Sequence, residues 1–380
     1  MRGNPLVEWL RVRFELSRSG EAQGNNHPME GLRGFAVLLV FMVHYTGMTR
    51  PWLGTGASLL YVFSEALHTI GNVGVDLFFV LSGYLIYGSL IARQQPFRTF
   101  MSRRIQRIYP TFLTVFAIYL ILSWFLPAES KLPVMLFDKV IYLVENLLLL
   151  PGLFPIQPLI TVAWSLSYEM AYYLILPLLM ILLNMRIRSP EWRYAFLINA
   201  AILIAVSCVF SGGPVRLIMF VVGMLIFESR KLGYDGRHGD ITGFAGLVVG
   251  LGCTLIPLEG SWGLLLKEGS LFLSFWLFCG ACFRVGTALW IQKVFSWTAL
   301  RWLGNMSYSY YLIHGLALKA GFLGLLVVFH KGEYSPPVLY WSLFPLMFLL
   351  TLFPAAALFL MVERPLSLSK SIQRRPLFNS

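Results

Sequence analysis

Ten stretches of 14 to 28 residues, near 33–48, 74–92, 110–126, 161–183, 194–210, 214–227, 241–257, 269–283, 302–329 and 338–361, are apolar and separated by polar or Gly/Pro-containing breaks. A single soluble core cannot bury so many such segments, whereas a bilayer accepts each one as a helix of about 20 residues. Composition agrees: 57% of the 380 residues are hydrophobic and only 13% charged, about half the charge of an ordinary soluble chain. The expected fold is an all-α integral membrane domain of about ten transmembrane helices. A further run near 133–155 is interrupted by Glu145, Pro151 and Pro155, and reads as a re-entrant or interfacial segment.

Basic residues give an independent view of topology, because cytoplasmic loops retain Lys and Arg. With the N-terminus inside, Arg2, Arg11, Arg13, Arg18, Arg33, Arg93, Arg98, Arg103, Arg104 and Arg107 fall on the inner side. So do Arg186, Arg188, Arg193, Arg230, Lys231, Arg237, Arg284, Lys293, Arg301, Arg364, Lys370, Arg374 and Arg375. The outer segments hold only Arg50, Lys131, Lys139, Arg216, Lys267 and Lys331. Both termini are therefore expected in the cytoplasm. No removable signal peptide is evident, so the first span is expected to direct insertion. The net charge of +12 is spread over short loops and does not point to nucleic acid. Cys208, Cys253, Cys279 and Cys282 all lie in apolar segments and read as packing residues, not as a disulfide framework or a metal site. Residues 5–18 fit an interfacial helix or a strand.

Ionisable groups at membrane depth are costly and call for a partner or a use. Arg33 and His44 lie in one apolar run. Eleven helical steps return to within about 20° of the starting direction and rise about 16 Å, so the two side chains share a face. Asp76, in the run that starts at Gly74, is explained by a helix N-terminus or by a role in orienting His44; both readings stay open. Glu169 follows Trp164, Ser165 and Tyr168 and precedes Tyr172 and Tyr173; the aromatic residues suit an interfacial belt, but the carboxylate needs a partner or a wet cavity. Tyr311 and His314 lie on a later span, the histidine at about mid-depth. Arg104 and Arg107, just before Tyr109-Pro110, are three apart, and a pair of guanidinium forks suits phosphate groups. No metal-protease, P-loop, nucleophile-elbow or dinucleotide-binding motif occurs.

Six of these segments, in order, resemble the membrane-bound acyltransferase family 3, integral membrane O-acyltransferases that use acyl-CoA and act on bacterial surface sugars. The matching residues are Glu30-Gly31-Leu32-Arg33-Gly34 with His44; Gly74-Val75-Asp76-Leu77-Phe78-Phe79-Val80-Leu81-Ser82-Gly83; Arg104 with Arg107; Trp164-Ser165-Leu166-Ser167-Tyr168-Glu169; Ser307-Tyr308-Ser309-Tyr310-Tyr311-Leu312-Ile313-His314; and Val362-Glu363-Arg364-Pro365. Tyr84 and Met170 depart from the family's commoner residues. The resemblance implies a membrane domain over 29–366, preceded by a cytoplasmic or interfacial arm, 1–28, and followed by a cytoplasmic tail, 367–380.

It also implies an active site built on Arg33 and His44, with Arg104 and Arg107 concerned in binding the acyl donor. Asp76 and Glu169 are further catalytic candidates, and Trp164, Ser165, Tyr168, Tyr311 and His314 are candidates for contact with the acceptor. The expected reaction moves an acyl group, acetyl first, from cytoplasmic acyl-CoA to a hydroxyl of a surface or lipid-linked carbohydrate, with His44 as general base. Acyl-CoA is a co-substrate; no permanently bound cofactor or metal is expected. The expected partners are membrane lipid, acyl-CoA and the carbohydrate, in a bacterial cytoplasmic membrane, with oligomeric state left open. The competing reading is a transporter or flippase of a lipid-linked sugar, in which the same groups would line a path; the absence of an internal repeat counts against it. A scaffold would not need so many buried ionisable groups.

Overall fold

The computed structural model describes residues 5–16, 27–53, 58–234, 239–284, 289–328 and 336–368. Most of the C-terminal tail, parts of the N-terminal arm, and Arg2, Arg18, Arg237 and Lys331 lie outside the described residues. Within them the fold is helical. In chain order the helices are α1 (Pro5–Phe14), α2 (His27–Thr49), α3 (Leu59–Ala92), α4 (Phe97–Phe125), α5 (Leu136–Leu147), α6 (Trp164–Leu182) and α7 (Pro190–Ser211). There follow α8 (Ile218–Lys231), α9 (Asp240–Thr254), α10 (Gly260–Phe283), α11 (Trp290–Phe295), α12 (Thr298–Asn305), α13 (Ser307–Val328) and α14 (Pro336–Leu358). Seven helices, namely α2, α3, α4, α6, α7, α10 and α14, are long and apolar enough to cross a membrane. The predicted crossings near 214–227 and 241–257 are α8 and α9, of 14 and 15 residues, shorter than an upright span needs.

Several boundaries differ from the sequence expectation; α2 begins at His27 and α10 at Gly260, six and nine residues before the apolar runs. Helix α3 begins at Leu59, not near residue 74, so Asp76 sits in the middle of a 34-residue helix and the helix-terminus explanation fails. Helix α4 begins at Phe97, which puts Arg103, Arg104 and Arg107 on its early turns instead of in a loop. The run near 302–329 is two helices, broken at Met306 between Asn305 and Ser307. The segment 133–155 contains α5, only 12 residues long, followed by turns. Residues 5–14 settle as a helix.

The chain divides into two compact units, residues 1–94 with 178–307 and residues 95–177 with 308–380. In the first, α2 packs against α3 and against α11–α12, and glycines set the closeness. A Cβ on Gly34 would lie 2.0 Å from the Leu300 carbonyl oxygen, and one on Gly304 1.7 Å from that of Glu30; only hydrogen fits. Gly83 of α3 and Gly223 of α8 face each other's backbones in the same way, each 2.0 Å from a carbonyl oxygen. Small residues of this kind let membrane helices gain van der Waals contact. Arg301 then bonds to Glu30 (2.9 Å) and to Glu15, while Asn305 donates to the Phe14 carbonyl at 2.9 Å, fastening the end of α1. Oxygens of Glu15 and Glu30 and a ring nitrogen of His27 lie within 4.8 Å of one another, a spacing that would suit a metal ion; Arg301 supplies a cation to both carboxylates.

In the second unit α14 runs on as a wide π-helical segment, Phe359–Leu368. Pro365 has no N–H to donate and its ring crowds the carbonyl four residues back, which a wider turn relieves. This turn carries Glu363, fully buried, which accepts from Ser309 through its backbone N–H (3.0 Å) and its hydroxyl (2.6 Å).

Candidate active site

Arg33 and His44 both lie on α2 in the first unit and both are half-buried, as a shared face requires. Helix α3 runs antiparallel to α2, because Gly71 faces Leu39 and Val43 whereas Gly74 faces Ala36 and Leu39. In that register the residue of α3 level with His44 is His68. Its Nδ1 lies 3.1 Å from the Val43 carbonyl and 3.1 Å from the Thr46 hydroxyl. The Thr46 hydroxyl donates to the Met42 carbonyl at 2.7 Å, so the His68 Nδ1–H is the donor to both neighbours.

Asp76, eight residues further along α3, is level with the turn near Ala36, about 12 Å from His44 along the axis. It is therefore not placed to orient the imidazole. Its buried carboxylate is instead gripped by Arg216, with Nε 3.1 Å from one oxygen and a terminal nitrogen 3.2 Å from the other. Arg216 also donates to the Asn72 carbonyl at 3.1 Å. Sequence reading passed over Arg216, although it was one of the few basic residues on the wrong side of the charge pattern.

The remaining candidates lie in the second unit. The Arg104 guanidinium sits over two aromatic rings, 5.2 Å from the centroid of Phe100 and 5.1 Å from that of Tyr173, a cation over two π-faces. Tyr173 in turn donates to Glu169, so the α6 motif and the α4 arginine are connected through one phenol. Arg107 is held differently: it is 3.0 Å from Glu363 and over the Tyr308 ring at 5.9 Å. Glu363 was legible as a motif residue but not as the partner of Arg107. Trp164 and Tyr168 meet edge to face at 5.7 Å.

Ser165 and Tyr311 are 2.7 Å apart through their hydroxyls, and both reach the Val162 carbonyl at 3.1 Å. The Ser165 hydroxyl, expected to contact the acceptor, thus sits between a phenol and a carbonyl with no base among these partners. His314 is fully buried and stacked on the Tyr310 ring. Its Nδ1 lies 3.0 and 2.8 Å from the carbonyls of Tyr310 and Tyr311, which fixes the proton on Nδ1. Arg33, His44 and Asp76 thus belong to one unit, and Arg104, Arg107, Trp164, Ser165, Tyr168, Glu169, Tyr311 and His314 to the other.

Comparison with known proteins bears on the identity of this constellation. Residues 26–360 match the model of an acyltransferase domain, that of acyltransferase family 3. The chain is 27% identical over 333 residues to Acyltransferase MdmB of Streptomyces mycarofaciens, covering 77% of this chain and 79% of that protein. It is 25% identical over 332 residues to the putative peptidoglycan O-acetyltransferase YrhL of Bacillus subtilis (strain 168), covering 75% of this chain but only 47% of the relative. A putative O-acetyltransferase of Staphylococcus aureus (strain COL) is 24% identical over 322 residues, 75% of this chain and 49% of its own length. The chain thus spans about half the length of these last two relatives. No solved structure matches. With the family's model spanning nearly all of the described membrane helices, the chain belongs to acyltransferase family 3, a multi-pass membrane acyltransferase.

Proposed function

We propose that this protein is an O-acyltransferase that takes an acyl group, acetyl first, from cytoplasmic acyl-CoA and leaves it on a hydroxyl of a cell-envelope carbohydrate. The observation that carries the reading is the α2 face on which Arg33 and His44 stand three turns apart, each half-buried. A guanidinium near the start of the helix suits a phosphate of coenzyme A, and an imidazole about 16 Å further along is at the reach of the donor's extended arm. In the second unit Arg104, over the Phe100 and Tyr173 rings, is the residue proposed as a phosphate ligand. Arg107, tied to Glu363, positions that turn of α4.

In the reaction the acceptor oxygen forms a bond to the thioester carbonyl carbon as His44 takes the hydroxyl proton. The carbon–sulfur bond then breaks, and His44 returns the proton to the departing thiolate. Direct transfer needs no nucleophile other than the acceptor. Trp164, Tyr168 and Glu169, with Ser165 and Tyr311 beside them, form the acceptor wall, since aromatic faces and a carboxylate suit a sugar. A relative named as a peptidoglycan O-acetyltransferase supports a glycan as the acceptor class. Ten crossings with both termini in the cytoplasm, in a bacterial cytoplasmic membrane, is the topology that lets the donor enter from one side and the acceptor from the other.

The test combines two readouts: coenzyme A release by purified protein given acetyl-CoA, and mass spectrometry of envelope glycans from cells with and without the protein. New acetyl esters that depend on the protein, together with coenzyme A release, are expected. Protein-dependent loss of a lipid-linked sugar from one leaflet with no thioester consumption would replace this reading by transport.

A further inference from the structure

Between α4 and α5, Lys131 reaches a distant stretch of chain and saturates itself there. Its ammonium donates to the Pro158 carbonyl (2.9 Å), the Leu159 carbonyl (3.2 Å) and the Thr161 hydroxyl (2.9 Å). An ammonium has three N–H bonds and no acceptor, so all of its capacity is spent on residues 158–161. These residues lead directly into Trp164 and Ser165. Asn146 of α5 holds the same stretch from the other side: its Oδ1 accepts from the Leu159 N–H at 2.7 Å, and its amide donates to Tyr142 within α5 at 2.9 Å. Further along, Ser167 donates to the Pro151 carbonyl. Gly152, at φ +97°, brings its backbone so close that a Cβ would lie 2.5 Å from the Trp164 carbonyl oxygen.

Loops ordinarily satisfy their backbone groups with water or short-range turns. Here one side chain closes a span of nearly 30 residues to fix the strand of chain that enters the acceptor wall. We propose that Lys131 is a positioning residue for the acyl acceptor: by holding 158–161 in place it sets where Trp164, Ser165 and Tyr168 meet the sugar. This rests on the reading of α6 as the acceptor wall given above.

Burial, and secondarily the nearby Lys319 ammonium, lowers the pKa of Lys131 from the ordinary lysine value. Lys319 is itself paired with Glu129. Loss of the Lys131 proton leaves two donors for three acceptors, so the clamp loosens at a pH where most lysines are still charged. Stability runs the other way. The unfolded chain holds this proton more tightly than the folded one, so unfolding free energy rises with pH through the window between the two pKa values and does not fall. An alkaline loss of transfer with no loss of stability is therefore the signature of the clamp.

The experiment compares full-length wild type, Lys131→Met and Lys131→Arg. One arm measures hydrogen exchange of the 157–163 amides in detergent at neutral pH. The other supplies radiolabelled acetyl-CoA to isolated envelopes at pH values from about 7 to about 10, below the ordinary lysine value, and counts base-labile ester. In Lys131→Met, exchange at 157–163 is expected to quicken at least about tenfold, and apparent KM for the envelope acceptor to rise with kcat little changed. Lys131→Arg should keep the protection and lose the wild type's alkaline decline. Wild-type exchange and wild-type KM in Lys131→Met would overturn the proposal, as would an alkaline limb that Lys131→Arg leaves unmoved. Should wild-type envelopes incorporate no label, the acyltransferase reading fails on that arm, while exchange still decides the clamp.

Discussion

Removing Arg216 should harm this protein more than removing Asp76, although the two form one ion pair. The pair makes one hydrogen bond of 3.2 Å and one further ion contact of 3.1 Å, and it is lopsided in exposure: the Asp76 side chain is 3% exposed and that of Arg216 27%. Arg216→Met leaves the buried Asp76 carboxylate with no cation in contact and the Glu268 carboxyl close enough to repel it. Breaking a buried pair in this way costs about 3–5 kcal/mol, and the partial hydration of Arg216 in the intact protein argues for the lower figure, about 3 kcal/mol. Asp76→Asn keeps the shape and an oxygen that still accepts one bond, while the stranded guanidinium turns to water. Its cost should be about 1 kcal/mol, that of a charged hydrogen bond weakened but not lost. Combining Arg216→Met with Asp76→Asn removes both charges and should cost about 2 kcal/mol, since an unpartnered buried amide is less costly than a stranded carboxylate.

Reversible unfolding of the four proteins in mixed detergent gives the cycle. A coupling energy of about 2 kcal/mol is expected, with Arg216→Met the least stable. Equal costs for the two single variants, or coupling below about 0.5 kcal/mol, would refute the burial argument.

Gly34→Ala places its Cβ 2.0 Å from the Leu300 carbonyl oxygen, so α12 must retreat by about 1 Å; a loss of about 1–3 kcal/mol is expected in the same unfolding assay, whereas an alanine at Gly252, open on all sides, should be harmless. Glu363→Gln keeps the Ser309 bonds in part but frees Arg107; apparent KM for acetyl-CoA should rise severalfold with kcat nearly unchanged, and an unaltered KM would mean that the Arg107–Glu363 pair plays no part in donor binding.

Hydropathy bounded α6, α7 and α14 within a few residues, because their sequences are apolar almost from end to end, but it started α10 nine residues late. It misplaced the start of α3 by fifteen residues for a physical reason. Ser64, Glu65, His68, Thr69 and Asn72 look like a polar break, yet Thr69 donates to the Glu65 carbonyl at 2.9 Å, Asn72 to the His68 carbonyl at 3.2 Å, and His68 bonds to α2. Polar side chains satisfied by their own helix or its neighbour do not end a helix. The division of 302–329 was invisible for the opposite reason: nothing in the hydropathy marks Asn305, whose amide is spent on the Phe14 carbonyl.

Arg33, His44, Asp76 and Glu169 declared themselves in the sequence as ionisable groups in apolar runs. Their partners did not. Asp76 and Arg216 are 140 positions apart, and only the folded register pairs them. The same register shows why Asp76 does not reach His44, one of the two readings the sequence left open, and places His68 at that level instead.

The central claim is that the imidazole on α2 takes the acceptor proton. It is met most directly by the rate at which isolated envelopes form labelled ester from acetyl-CoA with His44→Gln, at matched protein levels. Glutamine keeps the size and polarity of the side chain but has no basic nitrogen. The rate should fall by about 10²–10⁴ while thermal stability is held. A His44→Gln protein that forms ester within about twofold of the wild-type rate, well short of any general-base contribution, would contradict the claim.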